Sequence, residues 1–319
     1  VNSEGEAIIE RLRPTMYFVG VTTGGSSIND VFPRWADILG LKGAQLLGVD
    51  LPIHAPPEEY RRVVRQIRED PLSLGALVTT HKLDLLRAAH DLFDELDRYA
   101  QLCNEVSGIS KREGRVRGHA KDPITSGIAL EEIIEPGHWA STGGEVMCLG
   151  AGGAGVAITT YFATRHPRED RPPRMTLIDI EPSRLENVRA LLDRIPDPGM
   201  QVELVLNAEA QENDRRMGAL PAGSLVINAT GMGKDIPGSP TTVEAIFPEE
   251  GIAWELNYRG ELDFLRQARA QVPRRNLRVH DGWHYFVVGW AEIIAEVFDV
   301  KLTPQILEHL EAAAEAARP

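Results

Sequence analysis

The run Gly150-Ala151-Gly152-Gly153-Ala154-Gly155 has the spacing in this chain that most plainly suggests chemistry. In G-x-G-x-x-G, the first glycine allows a tight turn, the second lets a ligand approach the backbone, and the third lets helix and strand pack closely. A helix opening there presents N–H groups with no intrahelical acceptor, which suits a pyrophosphate. Glycine-rich turns also end strands for structural reasons alone, so the surroundings decide. Here the loop follows the apolar run Val146-Met147-Cys148-Leu149, opens a helix of small residues, and leads to Asp179 at the end of the next apolar run. That context predicts a dinucleotide cradle. Asp179 is placed to accept from ribose hydroxyls and its charge repels a 2′-phosphate, so NAD is expected ahead of NADP, although Arg184 lies within reach of a phosphate.

Asn228-Ala229-Thr230-Gly231-Met232-Gly233 closes another predicted strand, where loops line the ligand crevice of a parallel sheet. Lys82 stands just past a strand ending in Val78-Thr79, and Asp122 follows the strand-end run Gly118-His119-Ala120-Lys121. Taken singly, a lysine and an aspartate are ordinary solvated groups.

The elements that must carry these residues follow from periodicity. Tyr17–Val21 reads as a strand leading into the polar loop Thr22–Ser27, then a helix over Asn29–Leu39. Gln45–Leu51 and Gly75–Thr79 read as strands; Pro57–Glu69 and Lys82–Leu96 read as helices. Val106–Ile109 and Val116–Gly118 suggest a hairpin, and Ser126–Ile134 a helix. Breakers at Pro136, Gly137, Gly143 and Gly144 precede a second alternation. Its strands are Val146–Leu149, Met175–Ile180, Val202–Asn207, Leu225–Ala229 and Ile252–Leu256, with helices from Ala154 and over Ser183–Asp193. Trp283–Asp299 is apolar at helical spacing and is expected to return to the first lobe; Leu307–Arg318 reads as a solvent-facing helix. Alternation of this kind predicts α/β layers with parallel strands.

The 319 residues suffice for two lobes, and 43% hydrophobic with 25% charged residues is the balance of a globular chain. A formal net charge of −13 argues against nucleic acid as the main partner and for a small molecule. Cys103 and Cys148 make neither a disulfide framework nor a metal cluster, so no metal is expected and the cytoplasm fits. Val1–Arg13 lacks the apolar core of an export signal, and no apolar run is long enough to span a membrane. A homodimer is compatible with the chain but nothing requires one.

Taken in order, these motifs resemble the shikimate/quinate dehydrogenase family from about Tyr17 to Asp299. Gly20 with Ser26 and Ser27 resembles its carboxylate-binding serine loop, Val78-Thr79 with Lys82 its strand-end lysine motif, Asn104 its buried asparagine, and Asp122 its catalytic aspartate. Gly150–Gly155, Asn228–Gly233 and Tyr258 in Glu255-Leu256-Asn257-Tyr258 resemble the remaining motifs. The resemblance implies that Lys82 moves the proton of the reacting hydroxyl while a hydride passes to the nicotinamide. It also implies that Asp122 holds the lysine and a substrate hydroxyl, and that Ser26, Ser27, Thr79, Asn104 and Tyr258 bind substrate. Gly150, Ala151, Gly152, Gly153, Ala154, Gly155, Asp179, Asn228, Thr230, Gly231 and Met232 are the expected cofactor residues.

Several positions depart from the family pattern. Leu77 stands where an asparagine is usual, Thr80-His81 form a shortened spacer, Ile28 displaces a serine, Ala120-Lys121 replace Asn-Thr, and Gly289 replaces a glutamine. Losing hydroxyl-reading groups changes the substrate, and His81, His119, Lys121, His284 and Tyr285 are candidates for a different polar lining. The expectation is an N-terminal α/β substrate domain over residues 1–124, completed by 283–319, with a doubly wound Rossmann dinucleotide-binding domain over 125–282. Its activity would be NAD(P)-dependent hydride transfer on a small cyclic hydroxy acid. The rival reading is a cofactor-binding homologue without dehydrogenase activity, acting as a sensor or partner subunit.

Overall fold

A computed structural model describes residues 13–164, 170–234 and 236–318. The charged N-terminal segment read above lies, apart from Arg13, outside the described residues. The chain divides into two compact units, one of residues up to Lys121 together with Val287 onward, the other Asp122–Phe286.

The first unit is built on β1 (Thr15–Gly20), buried along its whole length. α1 (Ile28–Ile38) buries Ile28, Val31, Phe32 and Trp35, and after β2 (Gln45–Asp50), α2 (Pro57–Glu69) buries Tyr60, Val63, Val64 and Ile67. Both helices show the i, i+3, i+4, i+7 spacing that faces one stripe to a core. β3 (Ser73–Val78) and β2 flank β1 in parallel. The predicted helix from Lys82 ends early: α3 covers Lys82–Ala89, a 3-10 turn follows over His90–Leu92, and Glu95–Leu96 form a short strand, β4. The cause is Asp94, whose backbone N–H donates to Val116 O while its carboxylate accepts from Val116 N, drawing the chain into the sheet.

α4 (Arg98–Cys103), which periodicity did not show, leads to the hairpin β5 (Gly108–Arg112) and β6 (Arg115–His119). Its two loop residues, Glu113 and Gly114, both have positive φ, the geometry that matches strand twist in a two-residue turn. The sheet order is β2-β1-β3-β5-β6-β4; β5 runs antiparallel to both its neighbours, so this sheet is mixed.

The second unit holds α5 (Asp122–Ile133), α6 (His138–Thr142), β7 (Val146–Leu149), α7 (Gly153–Thr164), β8 (Arg174–Asp179), α8 (Pro182–Leu192), β9 (Gln201–Leu206), α9 (Ala210–Gly218), β10 (Leu225–Asn228), β11 (Ile252–Glu255), α10 (Asp263–Arg275) and β12 (Arg278–His280). Its sheet is parallel throughout, in the order β12-β11-β10-β7-β8-β9. β7, β10 and β11 are buried at every residue, which explains the apolar runs Val146–Leu149, Leu225–Ile227 and Ile252–Trp254; β10 and β11 each end in a buried polar residue, Asn228 and Glu255. α6, α9, α10 and β12 are additions to the sequence reading.

α11 (Trp283–Phe298) begins in the second unit and counts with the first from Val287. α12 (Pro304–Glu315) faces solvent over much of its surface, with Glu308, His309, Ala312 and Glu315 exposed, but it also carries a buried stripe. Leu310 and Ala314 are fully buried, and the Leu310 carbonyl accepts from the Trp35 indole at 2.8 Å.

Candidate functional site

In the parallel sheet β7 lies between β8 and β10, so the strand order reverses at the β7–β10 junction. Ligands of open α/β sheets bind at the carboxyl ends of such strands. The glycine loop leaves β7 there and the Asn228–Gly233 loop leaves β10.

Gly150 has φ +107, and a Cβ on it would lie 2.6 Å from the Ala229 carbonyl oxygen; one on Gly155 would lie 2.3 Å from the Gly150 oxygen. These two positions hold loop, strand and helix together, which only glycine permits. At Gly152 and Gly153 a Cβ would meet nothing within 4 Å. The open face of the cradle therefore lies over the residues where a pyrophosphate would approach the backbone, and the donor set there fits that group.

Asp179 is buried. Its Oδ2 accepts from Ala151 N at 2.7 Å and its Oδ1 from Glu181 N at 2.9 Å, with the half-exposed Arg184 guanidinium 3.5 Å from Oδ1. The acid read as a ribose acceptor is thus also a brace for the glycine loop. Burial, and then the Asp179 charge, push the Cys148 thiol up to about 12, so this cysteine is a neutral core group.

The second loop is tied by side chains. Asn228 is fully buried; its Oδ1 accepts from Thr230 N at 3.1 Å and Thr230 Oγ1 at 2.7 Å, and its Nδ2 donates to Glu255 Oε2 at 2.6 Å. Asn228 shapes the loop from beneath. Tyr258 packs edge-on to Trp283 and tilted against Phe286, at 5.2 Å and 4.7 Å between ring centres.

In the first unit Ser26 and Ser27 are half-buried at the entry to α1. Their loop is braced by Asp50, whose Oδ1 accepts from Thr23 N and Oγ1 at 2.8 Å and 2.6 Å, and by Asn29, whose Nδ2 donates to Thr23 O and Gly24 O. These hydrogen bonds hold the Asp50 carboxyl below its ordinary range. Thr79 N bonds Val19 O across to β1, and the chain then turns through Thr80 at φ +56. A β-branched residue in the left-handed region is strained. That turn delivers half-buried Lys82 as the first residue of α3.

Asn104 is exposed rather than buried; it ends α4 in the left-handed conformation at φ +53. Asp122 is the first residue of α5 and falls with the second unit, whereas Lys82 belongs to the first.

No family model matches the chain. It is 28% identical over 183 residues to a shikimate dehydrogenase (NADP(+)) of Streptococcus thermophilus, covering 56% of this chain and 58% of that relative. It is 26% identical over 308 residues to a shikimate dehydrogenase (NADP(+)) of Methylocella silvestris, covering 95% and 98%. The chain is similar to curated shikimate dehydrogenases at 25–29% identity. The two-domain fold is shared with the crystal structure of Listeria monocytogenes shikimate 5-dehydrogenase in complex with shikimate and NAD (TM-score 0.70, 18% identity, covering 94% of this chain and 96% of that one). It is also shared with the ligand-free 5-ketofructose reductase of a Gluconobacter strain (TM-score 0.70, 18% identity, covering 95% and 98%).

At the positions that depart from the shikimate dehydrogenase pattern, and at the candidates for a different polar lining, most side chains have local structural employment. Leu77 is buried in β3, and His81 is buried with Nδ1 3.2 Å from Tyr60 Oη. His119 lies 2.8 Å from Ser110 Oγ and 3.5 Å from Asp97, and Lys121 pairs with Glu296 at 2.8 Å. His284 Nε2 is 3.2 Å from Glu132, and Tyr285 packs on Trp254. Gly289 sits half-buried in α11. Asp50, Asn29, Glu255 and Asn257 are the residues sequence reasoning passed over. Glu255 and Asn257 stand in the quoted Tyr258 motif, but their burial was the missing signal.

Proposed function

We propose that this protein is an NAD(P)-dependent oxidoreductase that transfers a hydride between a nicotinamide and a small cyclic hydroxy acid. The observation that carries this is the open glycine cradle, braced by Asp179 at the switch point of a parallel sheet, in a chain whose curated relatives are shikimate dehydrogenases. The backbone of Gly150–Gly155 would hold the pyrophosphate, and Thr230, Gly231 and Met232, shaped by Asn228, would border the nicotinamide. The bound nicotinamide supplies hydride exchange.

In this reading Lys82 takes the proton of the reacting hydroxyl on oxidation and returns it on reduction. Asp122 accepts a hydrogen bond from a substrate hydroxyl and fixes its orientation. Ser26 and Ser27 receive the substrate carboxylate, with Thr79, Asn104 and Tyr258 as further polar contacts. Loss of the family asparagine at Leu77 and glutamine at Gly289 removes hydroxyl readers, so the preferred substrate need not be shikimate.

NAD is the cofactor favoured, because the Asp179 charge beside the cradle opposes a 2′-phosphate. A second reading, NADP, has Arg184 in its support: the guanidinium is half exposed and lies 3.5 Å from Asp179 Oδ1. Titration with NAD and NADP, then turnover assays with shikimate, quinate and amino-substituted analogues, test the proposal. Tight dinucleotide binding without turnover on any of them would favour a non-catalytic role.

A further inference from the structure

Glu255, at the end of β11, is fully buried and faces hydrogen-bond donors on both oxygens. Oε2 accepts from Asn228 Nδ2 at 2.6 Å; Oε1 accepts from Asn257 N at 2.8 Å and Asn257 Nδ2 at 2.6 Å. The Asn228 amide has no freedom to turn over, because its Oδ1 already accepts from the Thr230 N–H and hydroxyl. Reversed, it would set an NH2 against the Thr230 N–H and an oxygen against the Glu255 carboxylate. The same amides continue into the loop: Asn228 Nδ2 and Asn257 Nδ2 donate to Met232 O at 3.3 Å and 3.2 Å, and Thr230 Oγ1 accepts from Met232 N at 3.1 Å. A carboxylate is an acceptor on both oxygens, whereas a carboxylic acid turns one of them into a donor. The donor pattern around Glu255 therefore matches the anion and conflicts with the acid.

We propose that Glu255 is a positioning residue for the Thr230–Gly233 loop: its anion locks the loop through Asn228 and Asn257, protonation unlocks it, and dinucleotide binding releases a proton. The proposal rests on the reading of this loop as part of the dinucleotide site. Burial pushes the Glu255 carboxyl up to about 7, with Asp281 adding to the rise and the hydrogen bonds from Asn257 and Asn228 opposing it. Asp281 follows β12, the strand beside β11; on β12 itself burial, and then Arg278, hold His280 below its ordinary value. β10 offers Asn228, and the two loops carry Lys234 and Arg259 as their cations. A group poised near neutrality between anion-demanding donors and a burial that favours the acid couples proton and ligand.

The test measures NADH and NADPH affinity by fluorescence across about pH 6 to about pH 8 in the wild type and in E255Q. In the wild type, affinity at the upper end should exceed that at the lower end by about tenfold, the penalty when only the ionised fraction binds. E255Q, which places an NH2 among the donors, should bind weakly and with a flat profile. A flat wild-type profile, or a wild-type slope retained in E255Q, overturns the proposal. Should E255Q fail to fold, NMR of the ligand-free wild type decides it. The Thr230 and Met232 backbone amides and the Asn228 side-chain amide should shift together with a midpoint near the value of about 7 for Glu255. Independent or absent shifts overturn the lock. Concerted shifts with neither dinucleotide bound at any pH uphold the lock and remove the dinucleotide reading instead.

Discussion

The Asp179 carboxylate at the end of β8 accepts the backbone N–H of Ala151, the second residue of the glycine loop, at 2.7 Å. A strand-end acid and a phosphate cradle are thus one structural unit. The negative charge supports the turn that carries Gly150, while its other oxygen ties down Glu181. Replacing Asp179 by Ala leaves two N–H groups without their acceptor. Stability should fall by about 1–3 kcal/mol, readable by denaturant unfolding. Affinity for NAD should fall with the brace, and the preference for NAD over NADP should narrow because the charge that opposes a 2′-phosphate is gone. Loss of NAD affinity alone, at unchanged stability, would contradict the brace.

Arg184 separates the two cofactor readings. With NAD favoured, R184A should change NAD affinity little, and the wild type should bind NAD more tightly than NADP. If the wild type prefers NADP and R184A reverses that preference by about tenfold, the size of a lost charge-assisted contact, the phosphate-clamp reading replaces it.

Trp35 and Leu310 connect α1 to α12 through a buried indole hydrogen bond. W35F removes the donor and leaves the Leu310 carbonyl without it, so unfolding stability should drop by about 1–3 kcal/mol. A change within measurement error would mean that α12 contributes little to the first unit.

How far the sequence reveals such contacts depends on their range. α2 was legible to its end residues, because Tyr60, Val63, Val64 and Ile67 repeat at helical spacing behind Pro57. The glycine loop and its flanking strands were legible for the same reason of local pattern. α3 was overrun because Leu92, Phe93 and Leu96 keep an apolar rhythm, and only the distant partner Val116 of Asp94 interrupts it. α12 looked solvated because Leu310 and Ala314 make a narrow apolar stripe whose burial depends on α1. The Asp50 brace of the serine loop and the Glu255 network join residues far apart in the chain, and polar side chains carry no periodic mark of burial.

Glu255 also gives stability a pH dependence with a definite sign. Its carboxyl stands at about 7 in the folded chain against an ordinary value of 4.5, so the folded state holds the proton more tightly. The contribution of the protonated form is fully present below the unfolded value and is lost as pH rises through about 7. Denaturant stability of the wild type should therefore decline between about pH 5 and about pH 8, and this component should vanish in E255Q. A Glu255-dependent rise over that interval would reverse the assignment. The loop lock is gained over the range in which this stability is lost.

Lys82 carries the central claim, that this chain transfers hydride with a lysine moving the hydroxyl proton. The measurement is turnover of K82A with the best cyclic hydroxy acid found for the wild type, alongside dinucleotide affinity of the same variant. Turnover should fall by at least about a hundredfold, the usual contribution of a positioned acid–base group, while dinucleotide affinity stays near that of the wild type. An unchanged rate in K82A would contradict the account.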